Sequence, residues 1–182
     1  MAVSDFVEKL MFSKKLTFAE GKFEMFGVEG VIFPADVFTK MLEVTHEKTG
    51  EEVFEIMFES GRKQGNVAIE EIGKKNNMKK KEFFSKMVES ANVMGIGKLE
   101  VEKFSEEGSL VCSLTDSPIT REIKQSEEFE DVNKPVENFF RGLIHGLGEE
   151  VFEEKVKSEF TKSEYMGDPK TVVRTRVDHG DN

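Results

Sequence analysis

The chain has 182 residues, of which 37% are hydrophobic and 34% are charged, and its formal net charge is −10 at pH 7. This length predicts one domain with a sizeable core and leaves little room for two full domains, and the surface must be heavily charged. Because phosphate binding depends on clustered positive charge, the composition also excludes a typical nucleic-acid-binding protein.

Membrane, metal and cofactor sites are not indicated by the sequence. No apolar run approaches the roughly 18 to 20 residues that cross a bilayer, and a signal-peptide pattern is missing, so we expect a cytoplasmic protein without a membrane span. The single Cys112 fits a reducing compartment. His46, His145 and His179 lack ligand spacing on one element, so we expect neither a metal site nor a cofactor.

The N-terminal part of the chain predicts a helix, a hairpin and a second helix. Residues 4–12 form a short amphipathic helical pattern. Residues 16–33 alternate with the period of strands and predict a hairpin that turns at residues 27–30. Pro34 fits the first turn of a helix that continues to Gly50. One face of this helix is predicted to hold Phe38, Met41, Leu42 and Thr45.

A long helix is predicted next, with Thr49 and Glu52 at the spacing of a capping box. One face of it is formed by Phe54, Met57, Phe58, Gly61, Gly65, Ala68, Ile69 and Ile72. The middle of this face is bare backbone at Gly61 and Gly65, so we expect another element to approach closely there. Close packing is favoured over a cavity floor as the reason.

The central part of the chain predicts a third helix and a second hairpin. The helix carries Phe83, Phe84, Met87, Val88 and Ala91 on one face and ends near Gly95, after the solvated lysines 79–81. Two strands with alternating apolar residues follow, joined by a turn at residues 105–108. Ser117 and Pro118 fit the N-cap and first position of a short helix, and residues 126–134 read as a loop.

The last part predicts a long amphipathic helix and two strands. The helix starts after Pro135 and has an apolar face formed by Phe139, Phe140, Leu143, Ile144, Leu147 and Val151. Gly142 and Gly146 beside this face indicate that another backbone passes close by, and helix-on-sheet packing is favoured over a ligand contact. The strands cover residues 156–160 and 173–177 and are joined through a turn at residues 167–169.

These elements predict an α+β fold in which a largely antiparallel sheet made of hairpins packs against a group of helices. We expect a single domain over residues 1–182, with an N-terminal helix within residues 1–15 and a frayed tail at residues 178–182.

Two parts of the sequence resemble the 4-vinyl-reductase domain family. The first part comprises residues 139–146 and 161–171, which resemble the C-terminal signature of the family. The second comprises residues 94–100 and the Asp-Ser-Pro at 116–118, which resemble its strand entry and the end of its central hairpin. The resemblance implies an α+β fold related to that of transport-particle subunits. It also implies binding of small molecules or hydrocarbons, and some members are aromatic-sensing domains of transcription activators.

One difference from the family concerns its zinc site. Members that bind zinc carry two cysteines around the Gly-Asp-Pro turn, and this sequence has Ser163 and Thr171 at the matching positions. A glutamate that is common before the first cysteine falls on Phe160. Because hydroxyl groups are poor substitutes for thiolates as zinc ligands, the resemblance does not imply a metal site here.

We therefore expect non-catalytic binding or sensing of a small hydrophobic molecule in an apolar pocket, by a homodimer. The pocket candidates are Phe54, Met57, Phe58, Phe83, Phe84, Met87, Phe139, Phe140, Leu143, Arg141 and His145. The 17 Phe and 9 Met residues suit an apolar cavity, and a filled Phe-rich core explains them as well.

Some alternatives remain open from the sequence. Arg141 either pairs with an acidic neighbour such as Glu137 or holds an anionic ligand head, and His145 reads as a satisfied or exposed residue rather than a catalyst. An enzyme of the vinyl-reductase type, or an accessory in tetrapyrrole metabolism, would need a nicotinamide, flavin or iron–sulfur donor, for which no motif is present. The other alternative is a non-enzymatic dimeric adaptor.

Overall fold

A computed structural model of the chain describes residues 16–20, 22–25, 28–74 and 78–180. The α+β fold class is confirmed, with antiparallel strands packed against helices. The strands form two sheets, one of three strands in the order β1-β2-β3 and one of four strands in the order β4-β5-β7-β6. The helix predicted at residues 4–12 lies outside the described residues.

The described part of the chain contains five α-helices and seven strands. The helices are α1 (Ala35–Thr49), α2 (Glu52–Ala68), α3 (Lys80–Met94), α4 (Pro118–Gln125) and α5 (Asn138–Phe152). The strands are β1 (Leu16–Ala19), β2 (Lys22–Met25), β3 (Val28–Gly30), β4 (Lys98–Ser105), β5 (Ser109–Thr115), β6 (Val156–Lys162) and β7 (Thr171–Val177). A π-helix, Ile69–Lys74, extends α2, and a 3-10 turn, Glu127–Phe129, lies in the loop after α4.

The small sheet differs from the predicted hairpin by one strand. β3 occupies Val28–Gly30, where a turn was predicted, and pairs with β2. Phe23 pairs with Gly30, and a Cβ at Gly30 would lie 2.8 Å from the Phe23 ring, so a residue without a side chain fits this pairing. The predicted return strand at residues 31–33 was wrong, because these residues are exposed and lie outside the sheet.

The large sheet follows the predicted alternation. β4 and β5 form one antiparallel hairpin and β6 and β7 another, and the two hairpins join through β5 and β7. Leu110, Cys112 and Val173 on the inner face are completely buried. They belong to the main core, where α5 contributes Ile144 and Leu147.

Two details of α1 and α2 correct the sequence analysis. The capping box was wrong, since the Thr49 hydroxyl donates to the Thr45 carbonyl oxygen at 2.9 Å, and the residue at the start of α2 is Glu51, which makes no side-chain cap. Met41 was predicted on the inner face but is 65% exposed, whereas Leu42 is buried. Val37, Met41 and Val44 form an exposed line that we call the α1 outer stripe.

The closest packing in the fold joins α2 to α5. A Cβ at Gly61 would lie 2.1 Å from the Phe139 carbonyl oxygen, and a Cβ at Gly142 would lie 2.0 Å from the Phe58 carbonyl oxygen. Gly65 and Gly146 continue the same contact. Gly142 and Gly146 therefore face a helix, which corrects the expected helix-on-sheet contact, because two helices approach this closely only where neither has a side chain between them.

The described helices are all too short or too polar to cross a lipid bilayer.

Candidate functional site

A cavity of about 100 Å³ lies among α1, α2, α4 and α5, beside the start of β4 and the end of β5. Apolar side chains form most of its wall. The described lining residues are Phe38, Leu42, Met57, Ile96, Leu114, Ser117, Ile119, Thr120, Ile123, Val136, Glu137, Phe139, Phe140 and Leu143. Wider depressions of about 670 and 620 Å³ elsewhere are open and have charged residues in their walls. The smaller cavity is the better candidate, since small-molecule sites are concave and mostly apolar.

Local sequence effects position two walls of the cavity. Phe139, Phe140 and Leu143 are one and four residues apart, so they share one side of α5. On α4 the Ser117 hydroxyl accepts a hydrogen bond from the Thr120 amide at 3.3 Å, and Pro118 takes the first helical position. This predicted N-cap is confirmed, and it sets the start of the helix that brings Ile119 and Ile123 to the cavity.

Glu137 is a buried carboxylate in the cavity wall, 7% exposed. Its Oε1 atom accepts hydrogen bonds from the Tyr165 amide and the Thr171 hydroxyl, each at 2.8 Å. Its Oε2 atom accepts from the Ser163 hydroxyl at 2.8 Å and the Val136 amide at 3.2 Å. A carboxylate has about four acceptor positions, so these donors occupy all of them.

This arrangement, which we call the Glu137 knot, connects the start of α5 to the β6–β7 turn. Ser163 and Thr171, which stand where the resembling family has cysteines, both donate to the same carboxylate. Arg141 makes no ion pair with Glu137 among the described contacts. The sequence analysis named Glu137 only as a neighbour of Arg141, and no local pattern marks it as a wall residue.

Four of the predicted pocket residues line the cavity, namely Met57, Phe139, Phe140 and Leu143. Phe54 lies next to it, where a separate space of about 10 Å³ shares Met57 with the cavity wall. Phe83 and Phe84 are buried in the main core, with Met87 packed against that core. The structure therefore does not place these three residues of α3 at the cavity.

Phe58, Arg141 and His145 form a separate group. Arg141 and His145 are each two residues from Leu143, which puts them about 200° around α5 from the cavity side. The Arg141 guanidinium lies 4.5 Å from the centre of the Phe58 ring, and the His145 ring lies 5.2 Å from it. The Nε atom of Arg141 is buried and has no hydrogen-bond partner among the described residues.

Burial dominates the electrostatics of this group. It lowers the pKa of His145 below its ordinary value, and the nearby Glu149 only partly opposes this effect. Burial likewise lowers the pKa of Arg141. Burial alone would raise the pKa of Glu149, but the Arg62 guanidinium, bonded to it at 2.8 and 2.9 Å, lowers the pKa overall.

The described part of the chain has neither a reactive thiol nor a cluster of metal-binding side chains. Burial raises the pKa of the Cys112 thiol to about 12, so this side chain stays protonated at neutral pH and is a poor nucleophile. Among the described residues, no group of three or more His, Cys, Asp or Glu side chains is arranged to hold a metal ion.

Several cavity residues escaped the sequence analysis. Phe38 and Leu42 had been placed on the inner face of α1, which was the available signal for them. Ile119, Thr120 and Ile123 come from the short helix α4, and Val136 from the segment before α5. Nothing local in the sequence shows that α4 docks against α1, so these residues could not be assigned to a pocket.

Neither a known family model nor a curated protein sequence matches the chain. Among solved structures, the phenol-responsive sensory domain of the transcription activator PoxR, with phenol, has a TM-score of 0.79 and 12% identity, covering 97% of this chain and 92% of that one. A trafficking protein particle complex subunit 3 from Naegleria fowleri, covalently bound to palmitic acid, has a TM-score of 0.54 and 18% identity, with coverages of 81% and 99%.

A vinyl-4-reductase family protein from Methanocaldococcus jannaschii has a TM-score of 0.47 and 18% identity, covering 82% of this chain and 85% of that one. At such identities the likenesses to the PoxR domain and to the trafficking subunit concern the fold alone. The chain thus shares its fold with the PoxR domain, and this fold contains a small apolar cavity.

Proposed function

We propose that this protein binds or senses a small, mostly apolar molecule of about one ring in the cavity among α1, α2, α4 and α5, without catalysing a reaction. The observation that carries the proposal is the cavity itself, about 100 Å³ in volume and walled mainly by aliphatic and aromatic side chains. Such a wall favours apolar ligands because it removes their surface from water without demanding polar contacts.

The volume limits the size of the ligand. Drug-sized ligands occupy pockets of roughly 300 to 1,000 Å³, whereas an engineered apolar cavity of about 150 Å³ holds benzene. A cavity of about 100 Å³ therefore suits one ring, provided that a flexible wall residue moves slightly. Met57 can do so, because it is only partly buried and its thioether chain adapts readily.

The fold supports the same ligand class. The PoxR domain, whose structure covers nearly the whole chain, is phenol-responsive. A long acyl chain such as the palmitic acid held by the trafficking subunit is far larger than this cavity. A single-ring compound is thus the ligand that agrees with both the fold and the volume.

We further propose that the protein forms a homodimer through the α1 outer stripe. Its members Val37, Met41 and Val44 recur at four and three residues and are 38%, 65% and 48% exposed. If two copies of α1 meet antiparallel, Val37 of one lies against Val44 of the other. Asp36 near one helix end then approaches Lys48 near the other, so that opposite charges flank the apolar contact.

The test of ligand binding is titration calorimetry with phenol and toluene, with naphthalene as a larger compound. We expect the single-ring compounds to bind more tightly than naphthalene. Ile119→Trp, which fills the cavity, should abolish binding, whereas the matched variant Ile56→Trp on the exposed side of α2 should not change it. Unchanged binding by a folded Ile119→Trp variant would show that the ligand sits elsewhere.

A further inference from the structure

The polar groups of the cavity wall are unequal in what they can offer a ligand. Three of the described lining residues are polar, namely Ser117, Thr120 and Glu137. The Glu137 carboxylate already accepts four hydrogen bonds and has no acceptor position left. Among the polar side chains of the described wall, this leaves Ser117 at the N-cap of α4 and Thr120 in its first turn as partners for a polar ligand group.

The Thr120 hydroxyl is the free group. Thr120 is 3% exposed and lines the cavity, and its hydroxyl makes no hydrogen bond to any other described residue. Thr39, Thr45 and Thr49 in α1 donate to the carbonyl oxygen four residues earlier. Thr120 lies in the first turn of α4, and the residue four positions earlier, Asp116, precedes the helix with a positive φ of 55°. The hydroxyl of Thr120 therefore lacks the helical carbonyl acceptor that the three threonines of α1 use.

The Ser117 hydroxyl adds a possible donor at the same end of the cavity. Its oxygen accepts from the Thr120 amide, and within the described residues its own proton has no acceptor. Ser117 is also 3% exposed. Both residues line the cavity, and both hydroxyl groups keep hydrogen-bonding capacity that a polar group of a ligand could use there.

We infer that the ligand is a neutral single-ring compound with one hydrogen-bonding substituent, such as a hydroxyl, and that Thr120 is the residue that selects it. This inference rests on the proposed function. The substituent is neutral because the charged residue of the described wall is the Glu137 carboxylate, which repels an anion and has no acceptor position left for a cationic donor. Arg141, which could attract an anion, lies on the other side of α5.

Thr120→Val tests the inference, because valine has nearly the same shape and lacks the hydroxyl. Dissociation constants would be measured calorimetrically for phenol, toluene and benzoate, which share one ring. Wild-type protein should bind phenol about tenfold more tightly than toluene, the value of one hydrogen bond, and benzoate weakest. Thr120→Val should lose the preference for phenol while toluene binds as before.

Two further variants make the result specific. Thr39→Val removes a hydroxyl that is equally buried but is already bonded to the Ala35 carbonyl and lies outside the cavity wall, so it should keep the preference. Thr120→Ser retains a hydroxyl and should keep most of the preference for phenol over toluene. This variant covers the case in which Thr120→Val does not fold.

The possible outcomes separate the inference from the proposed function. The inference is overturned if wild-type protein binds phenol no more tightly than toluene, or if Thr120→Val shows the same preference for phenol as wild-type protein. It is also overturned if benzoate binds as tightly as phenol. In each of these cases ligand binding stands. If none of the three compounds binds to wild-type protein, the proposed function fails and the inference fails with it.

Discussion

Replacing Gly142 by alanine tests the helix contact on which the cavity depends. The new Cβ would lie 2.0 Å from the Phe58 carbonyl oxygen and 2.9 Å from the Arg62 amide nitrogen, both of them backbone atoms of α2. A carbon atom and a carbonyl oxygen normally approach to about 3.3 Å, so the shortfall is about 1.3 Å. No side-chain rotation relieves it, and α2 and α5 must move apart.

The expected cost follows from two opposing effects. Overpacking of a well-filled interior costs about 1 to 3 kcal/mol, and the upper end applies because a whole helix must move. Alanine gains about 1 kcal/mol over glycine in a helix interior. The variant should therefore be less stable by about 2 kcal/mol. If α5 were not in contact at this position, helix propensity alone would make the variant more stable, so the sign of the change decides the question.

The assay is urea unfolding followed by circular dichroism. With a slope near 2 kcal/mol per molar urea, the midpoint should fall by about 1 M. Gly148→Ala is the comparison, because its Cβ would meet a side chain instead of the backbone of α2, the Thr175 methyl group at 2.6 Å, and the loss should be smaller since this overlap is smaller. A second change, Gly61→Ala, should add less than its separate cost, since it separates the same helices. A midpoint at or above that of wild-type protein would refute the reasoning.

The remaining predictions concern the dimer and the dependence of stability on pH. Met41→Asp in the α1 outer stripe should convert a dimer to a monomer in sedimentation velocity. Ile56→Asp, also at an exposed position, should leave the dimer intact. Equal sedimentation of both variants would contradict the proposed interface. Because burial lowers the pKa of His145 in the folded state, the unfolded chain takes up the proton first as the pH falls, so stability is lost below the ordinary histidine pKa near 6.5. The free energy of unfolding should thus fall from pH 7.5 to pH 5.5, and it should fall less in His145→Gln. If the free energy of unfolding falls equally in both proteins, burial of His145 does not contribute to the pH dependence.

Features that depend on neighbouring residues were predictable from the sequence. The N-cap at Ser117 and Pro118 needs only one turn of helix, and the two-residue alternation of β6 and β7 follows from the strand itself. The helix end at Gly95 was also predictable, since its φ of 75° favours glycine. In each case the physical cause lies within a few residues.

Other features depend on competition or on distant partners. Thr49 and Glu52 have the spacing of a capping box, but the Thr49 hydroxyl bonds back into α1 instead. Met41 and Leu42 are both apolar, and the docking of α1 on α2 and α4 decides which of them is buried. The cavity combines residues from four helices, so the part of the wall that α1 and α4 supply could not be assembled from local patterns.

The Glu137 knot has a consequence for the order in which the protein folds. Its donors at Ser163, Tyr165 and Thr171 are 26, 28 and 34 residues away from it along the chain. The carboxylate can leave water only when α5 and the β6–β7 turn are already in place, so the knot should form after the folding transition state. We therefore expect removal of its bonds to speed unfolding and to leave the folding rate unchanged, so that they extend the lifetime of the cavity wall.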